Sequence, residues 1–506
     1  MQLKETEVLI VGLGPVGDVL AALLGQAGIR VIAIEREPAV YPQPRAVVFD
    51  AEIMRTFQQL GIAEKVLPHT QDGSTYEFVN AQGRTLLRFE SRDSTAGWDS
   101  YLFYQPAIEA VLRERIAELG SVETRLGHAF EHIVSNDETG IVALCRDAYG
   151  NPYQVQARFM VGCDGGSSRI RKALGVSLFD YGFEERWLAI DTKVSDESGL
   201  SPHTRQICDP QRPVTEVPLG AGRRRWEFML RPGEEREAML ADVQISELLR
   251  PFIAPEKVEV VRRAVYRFHG LVARRWRVGS TLLAGDAAHQ MPPFLGQGMC
   301  AGIRDAANLA WKLAAVLRGQ AGLATLDSYQ LEREPHVRHV IELAISLGRT
   351  ICTLDPEVAA RRDAEMLAVQ SAGAAREGIR LPGLSGGIFS KTLAAGQLFP
   401  QPQASLADGT AGRLDTLLGD GFWLLTNQAY AGAPVPGLRI VHWGTDARDE
   451  GTVDAWLSKH QVTSVIVRPD RHVFGAGDSG ELVRALKLAL ESSTVSPSES
   501  AEEAQA

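Results

Sequence analysis

Two glycine-rich stretches hold the residues best suited to chemistry. Gly12-Leu13-Gly14-Pro15-Val16-Gly17 follows directly on an apolar run, Val8 to Val11, and Gly285-Asp286-Ala287-Ala288-His289 follows on another, Thr281 to Ala284. In each, a strand delivers the chain to a loop of small residues and a helix begins beyond it. A helix N-terminus offers free backbone N–H groups and the positive end of a dipole, which suits the anionic and polar parts of a cofactor. The second stretch continues through Pro292-Pro293-Phe294-Leu295-Gly296-Gln297-Gly298-Met299 into a helix read from Ile303 to Arg318. Its inward stripe is Ile303, Ala307, Ala310, Ala314 and Leu317, and Gly319 stops it.

The elements around the first stretch define its use. A helix carries Val16, Leu20, Leu23, Leu24 and Ala27 inward and stops at Gly28, and a strand from Arg30 to Ile34 ends at Glu35 and Arg36. This is a βαβ unit with G-x-G-x-x-G in the required place, and it predicts dinucleotide binding. Gly12 permits the tight turn, Gly14 lets the backbone approach a pyrophosphate, and Gly17 lets helix and strand pack closely. Glu35 is suited to ribose hydroxyls. The motif leaves NAD and FAD open. Arg45, in the loop Pro44-Arg45-Ala46, is placed to reach a phosphate or a ring edge, and Gln105 opens a helix at the same end of the sheet. Each also reads, taken alone, as a solvated loop residue. A third motif runs from the apolar strand Phe159 to Cys163 into Asp164, then Gly165-Gly166-Ser167-Ser168-Arg169-Ile170-Arg171.

The chain of 506 residues has room for two to four domains. Its net charge of −10, with no basic stripe, argues against nucleic acid as a partner. Five scattered cysteines form neither a disulfide framework nor a metal site, which predicts a reducing, cytoplasmic setting. No signal peptide or membrane span is read. The expected fold is α/β plus β: a Rossmann-like cofactor domain from 1–180 and 277–390, an antiparallel-sheet substrate domain from 181–276, a small domain from 391–490 with a thioredoxin-like pattern and no cysteine, and a disordered tail from 491–506. In the sheet domain, Arg205 and Arg225 are candidates for holding an anionic substrate. The competing reading is a solvated face balanced by Glu216, Glu227, Glu234 and Glu235.

The three motifs stand in order on one chain, and that ordered set resembles the single-component FAD-dependent aromatic hydroxylases. Within that family, Tyr41-Pro42-Gln43-Pro44-Arg45-Ala46, Val66 to Thr70, Cys163 to Gly166, Cys208 to Pro213 and Glu227-Phe228-Met229 resemble the branch acting on 3-(3-hydroxyphenyl)propionate. Pro292-Pro293-Phe294 follows the wider family instead.

The resemblance implies FAD as the cofactor. Glu35 would bind the adenosine ribose, Phe130 would lie beside the adenine, and Arg45 and Gln105 would contact the diphosphate and ribityl region. Asp164 and Arg171 would brace that region, Asp286 would hold the ribityl chain, and Pro293 would lie over the flavin face. Gly296, Gln297, Gly298 and Met299 open the helix whose dipole would stabilise negative charge on the flavin ring, with Phe294 turned to the substrate. With no second G-x-G-x-x-G, NADH or NADPH would bind only transiently. The implied reaction is hydroxylation of a small phenolic acid by O₂ through a flavin C4a-hydroperoxide. A homodimer is allowed.

Phenol activation wants a base, for which Tyr266 and His269 are candidates; each also reads as a packed or surface residue. His289 is read as a structural hydrogen-bonder. Three alternatives stay open: a hydroxylase of a larger phenol such as a polyketide, a flavin-binding protein without turnover, and an NAD dehydrogenase.

Overall fold

The computed structural model describes residues 2–90, 94–373, 381–430, 432 and 435–491. The tail expected from 491 lies outside them, except for Glu491, which ends the last helix. The βαβ unit is β1 (Gln2–Val11), α1 (Pro15–Gln26) and β2 (Val31–Glu35). Gly12 has φ +98°, and a Cβ there would lie 2.4 Å from the Cys163 carbonyl oxygen. A Cβ on Gly17 would lie 2.0 Å from the Gly12 oxygen. Both positions exclude a side chain for steric reasons.

Next come β3 (Thr75–Val79), β4 (Thr85–Glu90), α2 (Gln105–Ala117), β5 (Val122–Leu126), β6 (Pro152–Gly162) and β7 (Leu178–Val194). They are followed by β8 (Thr204–Ile207), β9 (Val214–Gly220), β10 (Arg223–Met229), α3 (Asp242–Leu249) and β11 (Val258–Ala273). Then β12 (Thr281–Leu283), α4 (Gly298–Leu317) and α5 (Asp327–Ile351) complete this part.

The first sheet has a parallel core in the order β12, β6, β1, β2, β5, joined by antiparallel strands Ala129–Asn136, Ile141–Arg146 and Arg277–Val278. Helices cover it, so its central strands are apolar runs rather than alternating ones. The second sheet runs β11, β7, β10, β9, β8, β3, β4, with the two-residue strand His289–Gln290 on the outer edge of β11. It departs from the expected antiparallel sheet of 181–276 in two ways. It takes β3 and β4 from far upstream, and the β3–β8 junction is parallel. A two-strand hairpin has too little apolar surface to stand alone, so β3 and β4 add to the nearest open edge, which local alternation cannot identify.

One face of this sheet is closed by α3 and the turn before it, with Leu188, Ile190, Trp226 and Phe228 packed on Met239, Ile245 and Leu249. The other face turns to the cofactor body.

The C-terminal part has strands β13 (Phe422–Thr426), β14 (Leu438–His442), β15 (Ser464–Val467) and β16 (Val473–Gly477), then helix α6 (Ser479–Glu491). The β13–β14 pair is parallel and the other two junctions are antiparallel. This part docks on α4 through Trp311, edge-on to Phe422, and through a buried charge cluster. Arg468 and Lys312 meet Glu332 at 2.8 and 2.9 Å, and Arg468 also holds Asp470. Among the described residues, no helix is long and apolar enough to cross a membrane.

Candidate active site

Helices α1 and α4 start side by side. Val16 fills the space between them: a Cβ on Gly285 would lie 3.0 Å from its Cγ2, and one on Gly302 2.5 Å. Small residues at this crossing bring both N-termini to one groove. No side chain caps either helix, so their first-turn N–H groups remain available to an anion. At Gly14 a Cβ would meet nothing within 4 Å; the backbone there borders open space, beside the half-buried Pro15 and Val16.

Glu35 holds this loop by accepting from the Leu13 and Glu37 N–H groups at 2.8 and 2.9 Å. The exposed Arg36 pairs with Glu37 at 3.3 Å.

Asp286 opens onto the groove, and no hydrogen bond to its carboxylate forms among the described residues. Desolvation by the surrounding protein raises its pKa above the usual carboxylate range, opposed by His289 and Arg45. Such a carboxyl suits the hydroxyls of a ribityl chain. Beneath it lies a triad that sequence reasoning missed. His289 Nε2 is 2.6 Å from Asp305, which also accepts from Gly285 N–H and pairs with Arg333 at 2.9 Å. Burial alone would raise Asp305, but His289 and Arg333 outweigh it and hold the carboxyl low. His289 is therefore structural.

Several expected contacts are committed elsewhere. Asp164 spends its carboxylate on Ser168 Oγ and the Arg169 and Ile170 N–H groups, which starts the short helix Arg169–Ala173. Arg171 spans the Ala287 and Gly166 carbonyls at 2.9 and 2.8 Å. Gln105 accepts from the Arg45 and Ala46 N–H groups and so shapes their loop. Gln297 accepts from Arg304. Phe130 is 4% exposed in the core. Pro293 is exposed, Gly296, Gly298 and Met299 are half-buried at the start of α4, and the exposed Arg45 guanidinium lies 5.1 Å over the Tyr41 ring.

On the sheet, strand registers decide which side chains share a face. Three rows face the cofactor body. The first is Val217, Arg225, Asp191 and Arg262; the second Thr215, Glu227, Ala189 and Ala264; the third Met229, Trp187 and Tyr266. Arg205 is a correction. It pairs with Glu77 at 3.2 Å and lies opposite Glu216, whose other neighbour, Trp226, is in the core under α3. Arg205 therefore belongs to the far face.

Arg225 is on the near face, but most of its donors are committed within the protein. It grips Asp191 at 2.6 Å and the Pro44 and Arg45 carbonyls at 2.6 and 2.7 Å, and Arg262 joins both Asp191 and Pro44. His269 is an odd number of residues from Tyr266 on one continuous strand, so it falls on the far face, opposite Glu184. Phe294, 7% exposed, is seated among Phe183, Trp187 and Phe268 rather than open to a ligand.

Arg225→Met is expected to leave Asp191 buried with only Arg262 and two carbonyls with fewer donors. A loss of about 3–5 kcal/mol and weaker flavin retention should follow, read by thermal melting and flavin titration.

Residues 5–344 match the FAD binding domain family. The chain is 40% identical over 505 residues to a probable NADH-specific resorcinol 4-hydroxylase of Rhodococcus jostii (strain RHA1), covering 96% of this chain and 94% of that protein. The chain belongs to the FAD-binding aromatic monooxygenases.

This monooxygenase is also 36% identical over 512 residues to a 3-(3-hydroxy-phenyl)propionate/3-hydroxycinnamic acid hydroxylase of Mycobacterium sp. (strain JLS), covering 93% of this chain and 89% of that one. Its fold is similar to aklavinone-11 hydroxylase, crystallised with FAD and aklavinone, at TM-score 0.81 and 24% identity over 97% of this chain and 100% of that one. It is likewise similar to the flavin-dependent monooxygenase PieE, at TM-score 0.82 and 22% identity over 96% and 99%. The mixed α/β architecture is that of two-domain FAD monooxygenases. The uncapped α1 and α4 termini and the open Asp286 carboxyl fit FAD, and NAD(P)H is the reductant.

Proposed function

We propose that this enzyme hydroxylates a small phenol, bound between the cofactor groove and the near face of the second sheet. The carrying observation is the middle row of that face. Thr215, Glu227 and Ala264 keep some exposure, whereas Arg225, Asp191, Arg262, Met229 and Trp187 on either side are buried. Ala189 and Ala264 put two small side chains between a charged and an aromatic row, the place on this face where a ring would sit. Bound flavin supplies an electrophilic oxygen from O₂. The chain's part is to hold the ring near Pro293, keep water out, and take up the phenolic proton.

Two substrates suggested by the relatives' names differ in charge. Hydroxyphenylpropionate carries a carboxylate, and resorcinol does not. Both arginines of the row beside the middle one, Arg225 and Arg262, are held by Asp191 and backbone carbonyls, and this supports a neutral phenol such as resorcinol. Domain boundaries at 180/181 and 276/277, and a thioredoxin-like character for 391–490, belong to the same reading. Substrate-stimulated NADH oxidation with product analysis tests it. Resorcinol should accelerate oxidation and yield a trihydroxybenzene, with 3-(3-hydroxyphenyl)propionate less effective. If no phenol yields a hydroxylated product, the reading fails.

A further inference from the structure

Glu227 lies between Thr215 and Ala189 in the middle row. Its side chain is only 15% exposed, and its nearest ionic partner, Arg225, is 3.6 Å away. No hydrogen bond to it forms among the described residues, although buried carboxylates are normally well supplied with donors. The hydroxyl of Tyr266, in the neighbouring row, is also buried without a partner. Glu227 is thus a part-exposed acceptor without a donor, in a row whose other members, Thr215, Ala189 and Ala264, are small.

We propose that Glu227 is a catalytic residue that takes the phenolic proton of the substrate. The proposal rests on the reading of the protein as a phenol hydroxylase. The substrate O–H bond breaks, the proton passes to a Glu227 oxygen, and the electron pair stays on the ring oxygen. That raises electron density at the ortho and para carbons, which take the electrophilic oxygen derived from O₂ and reduced flavin. The attacked carbon then loses its own proton to solvent, aromaticity returns, and the Glu227 proton goes back to the ring oxygen.

The surroundings suit this task. Four groups face the carboxyl: Arg225 on its own strand, Asp191 on β7, Arg262 on β11 and Tyr76 on β3. Burial raises Glu227 above the usual carboxylate range, Arg225 opposes it, Asp191 adds to it, and Arg262 opposes it again. A raised carboxyl is a stronger base once ionised. It must lose its proton to act, so activity should rise with pH through a value above that of an ordinary glutamate.

Glu227→Gln in the full-length holoenzyme tests this. Expected are an unchanged flavin content, kcat lower by about 100-fold or more, and loss of the acidic limb from the pH profile of kcat/KM. The defect should shrink with a nitrophenol that is already ionised. Glu227→Asp should restore part of the rate and the limb. Wild-type kcat and an intact limb in Glu227→Gln would overturn the proposal. So would a wild-type profile with no acidic limb, which needs no variant to fold. If the wild type hydroxylates no phenol, the functional reading itself has failed, a result separate from any outcome for Glu227.

Discussion

Gly17→Ala is expected to yield a colourless, destabilised protein, and Gly14→Ala a colourless protein of nearly normal stability. The two glycines stand in one motif but meet different surroundings. A Cβ on Gly17 would lie 2.0 Å from the Gly12 oxygen and 3.4 Å from the Cys163 Cβ. Relief needs a shift on the order of 1 Å or more between α1 and the turn, at about 1–3 kcal/mol for overpacking. The shift also spoils the array of N–H groups.

Gly14 has φ −85°, which any residue adopts, and a Cβ there meets nothing within 4 Å. Alanine fits the protein itself and obstructs only what lies in the groove. Flavin binding should weaken on the order of 100-fold in both variants, or about 3 kcal/mol. The measurements are the ratio of flavin to protein absorbance after purification, and the melting temperature of the apoprotein. Normal flavin content in Gly14→Ala would remove the pyrophosphate from this loop.

Arg468→Met is expected to cost about 3–5 kcal/mol and to loosen the C-terminal part from α4. Arg468 is fully buried and donates to Glu332, Asp470 and the Ile388 carbonyl. Removing it leaves Glu332 with Lys312 alone as a cation and Asp470 with the neutral donors of Asn308 and Trp311 and with His472. The other cation, Lys312, is a weaker support. Burial pushes it down to about 8, and Arg468 repels it, against the attraction of Glu332. Burial would raise Glu332, but Arg468 and Lys312 hold it at about 2.

The sign of the pH effect follows. A carboxyl lower in the folded than in the unfolded protein contributes stability that is fully present above its unfolded value. That contribution declines as pH falls from about 4.5 and is gone below about 2. In Arg468→Met this part of the acid dependence should be strongly reduced. Denaturant melts of both proteins between these limits check it, and parallel curves would show that the cluster carries no linkage.

Much of the cofactor half was legible because its determinants are local. Gly12 and Gly17 announce a turn whose sterics the structure bears out, and the small residues after Thr281 announce a second helix start. The sheet half was less legible because its determinants are pairings. Arg205 and Arg225 look alike in composition, yet register puts them on opposite faces. For Tyr266 and His269, odd spacing on a single strand already implies opposite faces, and reading the whole of 258–273 as that strand was the missing step. Glu227 was counted only as a balancing charge, because nothing local distinguishes a half-buried carboxylate from one in solvent. The triad of His289, Asp305 and Arg333 joins a loop and two helices, and only His289 stood out by position.

The parallel junction between β3 and β8 bears on how the polypeptide is made. Glu77 and Arg205, which meet across it, are 128 residues apart in the chain. A nascent chain therefore carries the β3–β4 hairpin with one open edge until residues near Ile207 have left the ribosome. Open edges invite pairing with other chains, and pairings so distant in sequence form slowly. Biosynthesis thus passes through an interval in which the N-terminal part is complete in length but not in structure. A fragment ending near residue 180 would remain in that interval permanently, and is expected to aggregate where the full-length chain does not.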